Sequence, residues 1–224
     1  MLDYGLTEEQ EAIRELAKTI ADEEIRPVAA EYDIRNEFPW PIVKKMAEVD
    51  LFGILVPEEY GGFGGTMTMN MVLVTEELSK ACGGTALSFA GTALGVLPIL
   101  LAGGPELKER FLPDVASGKR LCAFAITEPG AGSDAGGVRT TAIRDGDHYV
   151  LNGTKQWITN AGEAEIYTVV ALTNPDKGPR GASVLVVEKD TPGFTFGKKE
   201  DKMGIRASAT RELHFEDCRV PVEN

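Results

Sequence analysis

Apolar positions in the first half of the chain recur with helical spacing. Between residues 7 and 20 they share one helical face, and charged residues occupy the opposite face. This apolar face consists of Ile13, Leu16, Ala17 and Ile20. Thr7 and Gln10 have the spacing of a capping box, in which each side chain bonds the backbone N–H of the other residue. The pattern therefore predicts that the chain opens with an amphipathic helix.

Further helices are predicted across the rest of this half. Pro41 suits the first turn of a second helix, and Gly53 is placed to end it. Helical spacing continues over 71–97, and a short helix is expected over 104–111. No convincing strand alternation interrupts these segments. We therefore predict an all-α helical domain over residues 1–117.

The stretch from Ala81 to Pro105 carries no charge, which makes it the one candidate for a membrane span in the sequence. Six glycines, Pro98 and several hydroxyl side chains interrupt it. This composition favours a pair of buried core helices, so no membrane span is expected.

The pattern changes after Ser117-Gly118, where β-branched and aromatic runs alternate with turn pairs. Short strands are predicted at 121–126, 138–144, 148–155, 166–172, 183–188 and 211–215. Such a density of short strands is typical of a β-barrel or sandwich. The predicted fold class is therefore α+β, with the helical domain followed by an antiparallel β-barrel or sandwich over residues 118–224.

Composition narrows the classes of function. The chain has 224 residues and a formal net charge of −12, which disfavours nucleic acid as a partner. Its three cysteines are widely spaced and it has two histidines, so we expect reduced thiols and no metal site. The N-terminus is acidic and lacks an apolar segment typical of secretion signals. A cytoplasmic location is expected.

Residues 127–134 form a glycine-rich segment, Thr-Glu-Pro-Gly-Ala-Gly-Ser-Asp. Gly130, Gly132 and Ala135 satisfy the dinucleotide fingerprint G-x-G-x-x-G/A, which requires a helix directly afterwards. The following residues favour a strand instead, so the Rossmann interpretation fails. A loop whose backbone N–H groups approach a ligand, aided by the hydroxyls of Thr127 and Ser133, remains open beside an ordinary surface turn.

The segment 152–160, Asn-Gly-Thr-Lys-Gln-Trp-Ile-Thr-Asn, offers a second candidate site. Trp157 and Thr159 would share a strand face if the segment is extended. A flat apolar ring beside a hydroxyl suits a planar heterocycle. A tryptophan in a strand is, however, more often part of a core.

Together these two segments resemble the acyl-CoA dehydrogenase family. The resemblance includes the glycine-rich loop at 61–65, the junction at 112–119, the Lys-Met-Gly-Ile-Arg-Ala-Ser segment at 202–208 and the segment at 215–221. It therefore spans essentially the whole chain.

The resemblance implies a helical N-terminal domain, a middle β-domain and a C-terminal helical bundle beyond this chain, with FAD between the last two. The implied FAD-binding residues are Phe124, Ile126, Thr127, Gly132, Ser133, Trp157, Ile158 and Thr159. Trp157 would pack against the flavin, and Thr159 would hydrogen-bond near its reactive nitrogen. Ser133 would also touch the pantetheine arm of an acyl-CoA substrate.

The implied reaction removes a proton α to the thioester and transfers a hydride from the β carbon to the flavin, after which an electron-transferring flavoprotein accepts the electrons. The family's base is a glutamate of the C-terminal domain, so we expect no catalytic residue in this chain. Glu128 and Glu163 are expected to be solvent-facing or structural. The full-length protein is expected to be a homo-oligomer, either a dimer or a tetramer, of which this chain is a truncated part.

Two alternatives remain open at this point. One is another chemistry on the same fold, such as an acyl-CoA oxidase or a flavin monooxygenase. The other is a non-catalytic binding module that keeps the fold without the base.

Overall fold

The computed structural model describes residues 5–63 and 67–224, which divide into two compact units. The first unit takes the described residues up to Ala90 together with Leu112–Lys119 and Asp201–Ser208, and the second takes Gly91–Phe111, Arg120–Glu200 and Ala209–Asn224. The domain division at residues 117 and 118 stays a prediction. Of the glycine-rich loop at 61–65, Gly64 and Gly65 lie outside the described residues.

The first helix, α1 (Glu8–Ile20), begins as the sequence predicts. The N–H of Gln10 donates to Thr7 Oγ1 at 3.2 Å, and the N–H of Thr7 donates to Gln10 Oε1 at 3.0 Å. Ala17 and Ile20 are buried on its apolar face. The helix runs directly into a π-helical turn at Ala21–Ile25, which the sequence pattern did not predict.

Three more α-helices lie in the described part of the first unit that precedes residue 82. They are α2 (Ala29–Arg35), α3 (Trp40–Glu48) and α4 (Met67–Ala81). Pro41 lies in the first turn of α3 as predicted, but the prediction that Gly53 ends this helix is wrong. The helix ends at Glu48, two residues before Asp50 takes a left-handed backbone with φ 56°. Gly53 instead makes room for a ring, because a Cβ there would lie 3.1 Å from Phe63.

The uncharged stretch forms one continuous helix, α5 (Gly83–Ala102), so the predicted pair of helices is wrong. A Cβ on Gly91 would lie 2.9 Å from the side chains of Thr159 and Asn160. A Cβ on Gly95 would lie 2.7 Å from the backbone nitrogen of Ala123. These glycines therefore allow close packing against the strands and do not break the helix.

By length and composition alone, α5 is the one helix in the described ranges that is long and apolar enough to cross a membrane. Within its 18-residue apolar window, 56% is buried inside the protein. The next helix, α6 (Pro105–Ala116), starts where the sequence predicts and runs five residues further.

In the described part of the chain, seven strands form one sheet. They are β1 (Cys122–Ala125), β2 (Thr141–Asp145), β3 (His148–Thr159), β4 (Ile166–Leu172), β5 (Ala182–Glu188), β6 (Phe194–Phe196) and β7 (Thr210–Pro221). Their hydrogen-bonded order is β1-β4-β2-β3-β7-β6, and β5 pairs with β4. The α+β fold class is confirmed.

One detail of the predicted sheet is wrong, because β1 and β4 run parallel and the sheet is therefore mixed. Cys122 lies beside Ile166 and Ala125 beside Val169. A parallel pair needs a long connection, which the 40 residues from 126 to 165 supply. The predicted strand at 166–172 matches β4, whereas the three-residue β6 was missed.

The pairing of β3 with β7 contains two compensating β-bulges. Between Leu151 and Gly153 the extra residue lies on β7, and between Lys155 and Ile158 it lies on β3. The register at both ends of the ladder is therefore the same. Bulges of this kind bend a strand and redirect a side chain.

The sheet has an aromatic core centred on Tyr167. Its ring lies 4.9 Å from that of Phe194, which stacks on Phe215 at 4.9 Å with an interplanar angle of 10°. The hydroxyl of Tyr167 accepts from the N–H of Gly162 and donates to the carbonyl of Ala164, both at 2.9 Å. Burial raises the pKa of this tyrosine.

The capping box gives a stability prediction. Replacing Thr7 by alanine removes the acceptor for the Gln10 N–H and should lower the free energy of unfolding by about 1 kcal/mol. The measurement is the midpoint of urea unfolding. Thr19→Ala is the matched control, because the Thr19 hydroxyl bonds the Glu15 carbonyl inside the same helix and its loss should leave stability unchanged or slightly higher. Equal losses for the two variants would contradict the capping role.

Candidate functional site

The glycine-rich segment leaves the sheet at the end of β1 and returns to it at β2. Its interior, from Gly132 to Gly136, is exposed. A short 3₁₀ turn at Ala135–Gly137 is its only regular structure, and no α-helix follows. The Rossmann geometry, which needs a helix at this point, is therefore absent from the segment.

A small apolar cluster lies beneath this loop. Ala131, Val138 and Leu172 are buried together, and the half-buried Ile126 packs against them. Ile126 was predicted to bind a cofactor, and its side chain contributes to this cluster.

The base of the loop contains a buried ion pair that the sequence analysis did not single out. Lys155 Nζ donates to Glu128 Oε1 at 2.8 Å and to the carbonyl of Ile126 at 2.9 Å. The same carboxylate accepts the N–H of Arg139 at 2.7 Å and the N–H of Thr140 at 2.9 Å. The Lys155 side chain is fully buried and that of Glu128 is 7% exposed. Glu128 is therefore structural and does not face solvent.

The environment of Glu128 favours its ionised form. Burial alone would raise the pKa of this carboxyl group, but the hydrogen bonds from Lys155 and from the backbone N–H groups of Arg139 and Thr140 outweigh burial. The pKa of Glu128 therefore lies below its ordinary value of 4.5. Burial also lowers the pKa of Lys155, and the carboxylate of Glu128 opposes that lowering.

One backbone hydrogen bond brings the two predicted segments together. The N–H of Gln156, on β3, donates to the carbonyl of Thr127 at 2.8 Å. Within the loop, Glu128 and Ala131 exchange two backbone hydrogen bonds, at 3.0 and 3.1 Å. The glycine-rich loop and the tryptophan-containing strand are thus direct neighbours.

The second segment is not regularly extended, as the pairing of Trp157 with Thr159 on one strand face had assumed. Trp157 lies in the bulge on β3 with φ 60°, a left-handed conformation that costs a non-glycine residue energy. Its side chain is 55% exposed, whereas Ile158 is 2% exposed. The bulge thus directs the large aromatic ring outward, away from the core.

Asn160 fixes the end of this segment and was also missed from the sequence. It has φ 63°, a left-handed conformation that asparagine tolerates, and it is fully buried. Its Nδ2 donates to the carbonyl of Cys122 at 3.2 Å and to Thr92 Oγ1 at 3.3 Å. These bonds join the end of β3 to β1 and to α5, beside the predicted Thr159.

The eight predicted cofactor-binding residues differ in accessibility. Gly132, Ser133 and Trp157 are exposed, and Phe124, Ile126, Thr127 and Thr159 are half-buried. Ile158 is buried, so any contact it makes with a ligand is through its main chain. The two segments adjoin each other, but contact with a cofactor stays a prediction for each residue.

The loop glycines provide a test of whether a planar cofactor fits. A Cβ on Gly130 or Gly132 would meet no protein atom within 4 Å, and neither residue takes a left-handed backbone. The chain's own fold therefore does not require glycine at these positions. Close approach of a ligand to the backbone would require it. Together with the outward-facing Trp157, this arrangement fits a flat heterocycle such as a flavin.

Glu163, the other glutamate considered from the sequence, is also engaged by the protein. Its Oε1 lies 3.7 Å from Nη2 of Arg211, and its side chain is 19% exposed. Among residues 5–63 and 67–224, no group of three or more histidine, cysteine, aspartate or glutamate side chains is arranged to hold a metal ion.

Comparison with known proteins identifies the family. The family model described as acyl-CoA dehydrogenase, N-terminal domain, matches residues 7–119, and the one described as acyl-CoA dehydrogenase, middle domain, matches residues 123–218. The chain belongs to the acyl-CoA dehydrogenase family. The resemblance inferred from the two segments is thus confirmed.

Three relatives of this acyl-CoA dehydrogenase family member are informative. The short-chain specific acyl-CoA dehydrogenase of Clostridium acetobutylicum is 44% identical over 224 residues, which are 100% of this chain and 59% of that protein. A chain in a structure described as the electron transferring flavoprotein of Acidaminococcus fermentans is 42% identical with a TM-score of 0.95, covering 100% of this chain and 59% of that one. An acyl-CoA dehydrogenase from Bacillus anthracis, solved in complex with FAD, is 39% identical with a TM-score of 0.90, covering 100% of this chain and 38% of that one. The chain spans about three fifths of the length of the curated relative.

The lowered pKa of Glu128 gives a pH-dependent prediction. The folded state holds fewer protons on this carboxyl group than the unfolded state, so its stabilising contribution is present above about pH 4.5 and is lost as the pH falls through the folded-state pKa. Glu128→Gln should lower the free energy of unfolding at pH 7 by on the order of 3 kcal/mol, because it breaks a buried ion pair. The difference from wild type should shrink as the pH falls below 4.5.

Glu165→Gln is the control of opposite sign. Burial raises the pKa of Glu165, although the N–H of Leu121 donates to it at 2.9 Å. Its folded state therefore holds more protons, and wild type should gain stability relative to this variant as the pH falls towards 4.5. Denaturant unfolding at a series of pH values measures both differences. A pH-independent difference for Glu128→Gln would contradict the assignment.

Proposed function

We propose that the protein is an FAD-dependent acyl-CoA dehydrogenase that introduces an α,β double bond into an acyl-CoA thioester and passes the electrons to an electron-transferring flavoprotein. The observation that carries this proposal is Trp157, which a left-handed bulge holds 55% exposed beside a loop with two unobstructed glycines. A large aromatic ring that a fold exposes at the cost of backbone strain suits a ligand with a flat surface. Membership in the acyl-CoA dehydrogenase family supports flavin as that ligand.

The residues of this chain would bind the flavin and orient the substrate beside it. Trp157 would pack on the ring system and the Thr159 hydroxyl would hydrogen-bond to it, while Gly130 and Gly132 would let the loop backbone approach. Ser133, exposed in the same loop, would contact the pantetheine arm of the substrate. When bound, FAD would supply the acceptor for the hydride from the substrate's β carbon.

The base that removes the α proton is proposed to lie outside these 224 residues. The two glutamates considered from the sequence support this placement, because Glu128 is engaged by Lys155 and Glu163 by Arg211. A catalytic base must reach the proton it removes, within about 3 Å or through one water. Three hydrogen bonds already occupy most of the roughly four lone-pair sites of the Glu128 carboxylate, which makes it a poor candidate for a base.

The relatives support the individual parts of the proposal to different degrees. The Bacillus anthracis protein was solved with FAD, and the Clostridium acetobutylicum protein is described as specific for short chains. The Acidaminococcus fermentans structure supports an electron transferring flavoprotein as partner. The homo-oligomer and the cytoplasmic location rest on the sequence-based expectations alone.

The first experiment tests the activity. The complete gene product should purify yellow with bound FAD, and its flavin absorbance should bleach when an acyl-CoA such as butyryl-CoA is added without oxygen. Electrons should then pass to an electron-transferring flavoprotein and not to oxygen. Colourless protein that ignores acyl-CoA would exclude a flavin dehydrogenase. Rapid oxygen consumption with acyl-CoA would show an oxidase instead.

The second experiment tests Trp157. Trp157→Ala should raise the dissociation constant for FAD by about tenfold, equivalent to about 1.4 kcal/mol, while shifting the unfolding midpoint little because the ring is already exposed. Ile143→Ala is the matched control, since Ile143 is 48% exposed on β2 and lies outside both predicted segments. Flavin fluorescence titration measures both constants. Equal FAD affinities in the two variants would contradict the stacking role.

A further inference from the structure

The two ends of the glycine-rich loop meet at a single point. Lys155 Nζ donates hydrogen bonds to the carbonyl of Ile126, just before the loop, and to the carboxylate of Glu128. That carboxylate in turn accepts hydrogen bonds from the N–H groups of Arg139 and Thr140, just after the loop. The segment 127–138 is therefore closed at its base by one buried lysine and one buried carboxylate.

The strand that supplies this lysine, β3, also carries the second segment of the candidate site, with Trp157 and Thr159. Lys155 is followed on β3 by Gln156, whose N–H bonds the Thr127 carbonyl, and then by the exposed Trp157. Residues 155–159 of one strand thus connect the base of the loop to Thr159. The distance between the glycine-rich loop and the Trp157 side chain depends on this short connection.

Burial does little to hold the outer part of the loop. Residues 132–136 are all exposed, and the apolar cluster beneath the loop reaches only Ala131 and Val138. Besides the loop's own backbone bonds, the directional hydrogen bonds at its base constrain where Gly132 and Ser133 lie. Charge-assisted hydrogen bonds are short and strongly directional, so they can do this where apolar contact cannot.

We propose that Lys155 and Glu128 are positioning residues, which set the glycine-rich loop at the distance from Trp157 and Thr159 that flavin binding requires. This inference rests on the proposed function. We do not assign either residue a catalytic role, because the Lys155 side chain is fully buried and that of Glu128 is 7% exposed.

Stability alone does not account for an ion pair at this position. Replacing a buried ion pair by apolar side chains of similar volume is often neutral or stabilising, whereas removing one partner is strongly destabilising. A paired substitution can therefore separate positioning from stability. The double variant Glu128→Leu, Lys155→Met removes both charges without leaving one unpaired. It also removes the side-chain hydrogen bonds that close the loop and keeps the backbone bond from Gln156 to Thr127.

The test uses the complete gene product and FAD itself as the probe. The double variant and Glu128→Gln should each raise the FAD dissociation constant by about tenfold or more and shift the visible flavin absorption bands, because the loop no longer meets the ring correctly. The double variant leaves no charge unpaired but deprives the N–H groups of Arg139 and Thr140 of their acceptor, so its unfolding midpoint should fall, and the Glu188→Gln control shows whether such a fall alone weakens FAD binding. An affinity and spectrum equal to those of wild type in the double variant would overturn the proposal.

Glu188→Gln is the matched control. Glu188 lies at the end of β5, where Arg120 Nη2 donates to it at 2.7 Å and Arg110 bonds its other oxygen, and these bonds hold its pKa below the ordinary value against the effect of burial. Its loss should lower the unfolding midpoint but leave FAD affinity within about twofold of wild type, since it does not contact the loop. An equal loss of FAD affinity in Glu188→Gln would mean that general destabilisation explains the effect, and would overturn the proposal.

Failure of the proposed function would be visible separately. Wild-type protein that binds no FAD would overturn the function, and hydrogen exchange in the cofactor-free protein would then decide the positioning role. The amides of Arg139, Thr140 and Gln156 should exchange faster in the double variant, and those of β4 should not. Unchanged exchange at the three amides would overturn the positioning role.

Discussion

Desolvation of a charged lysine is the constraint on which the candidate site depends. Lys155 has no exposed surface, and a buried ammonium group is tolerated only when its charge is paired and hydrogen-bonded. The carboxylate of Glu128 pairs the charge, the Ile126 carbonyl accepts a second hydrogen bond, and Glu128 also accepts two backbone amides from the far end of the loop. The loop cannot move away without leaving a charge unpaired in the interior. An ion pair that contributes little net stability can therefore still give a glycine-rich segment one defined position.

The fold could be predicted from the sequence where the signal is local. The Thr7 cap and the buried run at 166–172 are specified by neighbouring residues, and both appear where expected. Where a residue's role depends on a partner remote in sequence, the prediction failed. Gly53 makes room for Phe63, and Gly91 makes room for the end of β3, so neither glycine interrupts a helix. The parallel pairing of β1 with β4 was missed for the same reason, because the residue pattern within a strand does not indicate which strand it pairs with or in which direction.

The candidate site shows the same division. Its two segments were singled out by their glycine-rich and Trp-Thr patterns, and the family resemblance then linked them to a flavin. The structure places them side by side through the bond between Gln156 and Thr127. Lys155 was passed over because a lysine in a strand is usually exposed, and its partner Glu128 lies 27 residues earlier. Asn160 was passed over because its role depends on a left-handed backbone that its sequence neighbours do not indicate. The one signal available for this ion pair was that one segment contains a lysine, Lys155, and the other a glutamate, Glu128.

The paired bulges of β3 and β7 have a consequence for how this sheet can change over evolution. Each bulge shifts the alternation of inward and outward side chains by one position, and the second restores what the first displaced. Deleting a single residue in one bulge alone, either Trp157 on β3 or Asp217 on β7, where φ is 48°, would carry the shift to the end of the ladder and turn core residues towards solvent. The two bulges therefore depend on each other, because removing one keeps the register only if the other is removed as well.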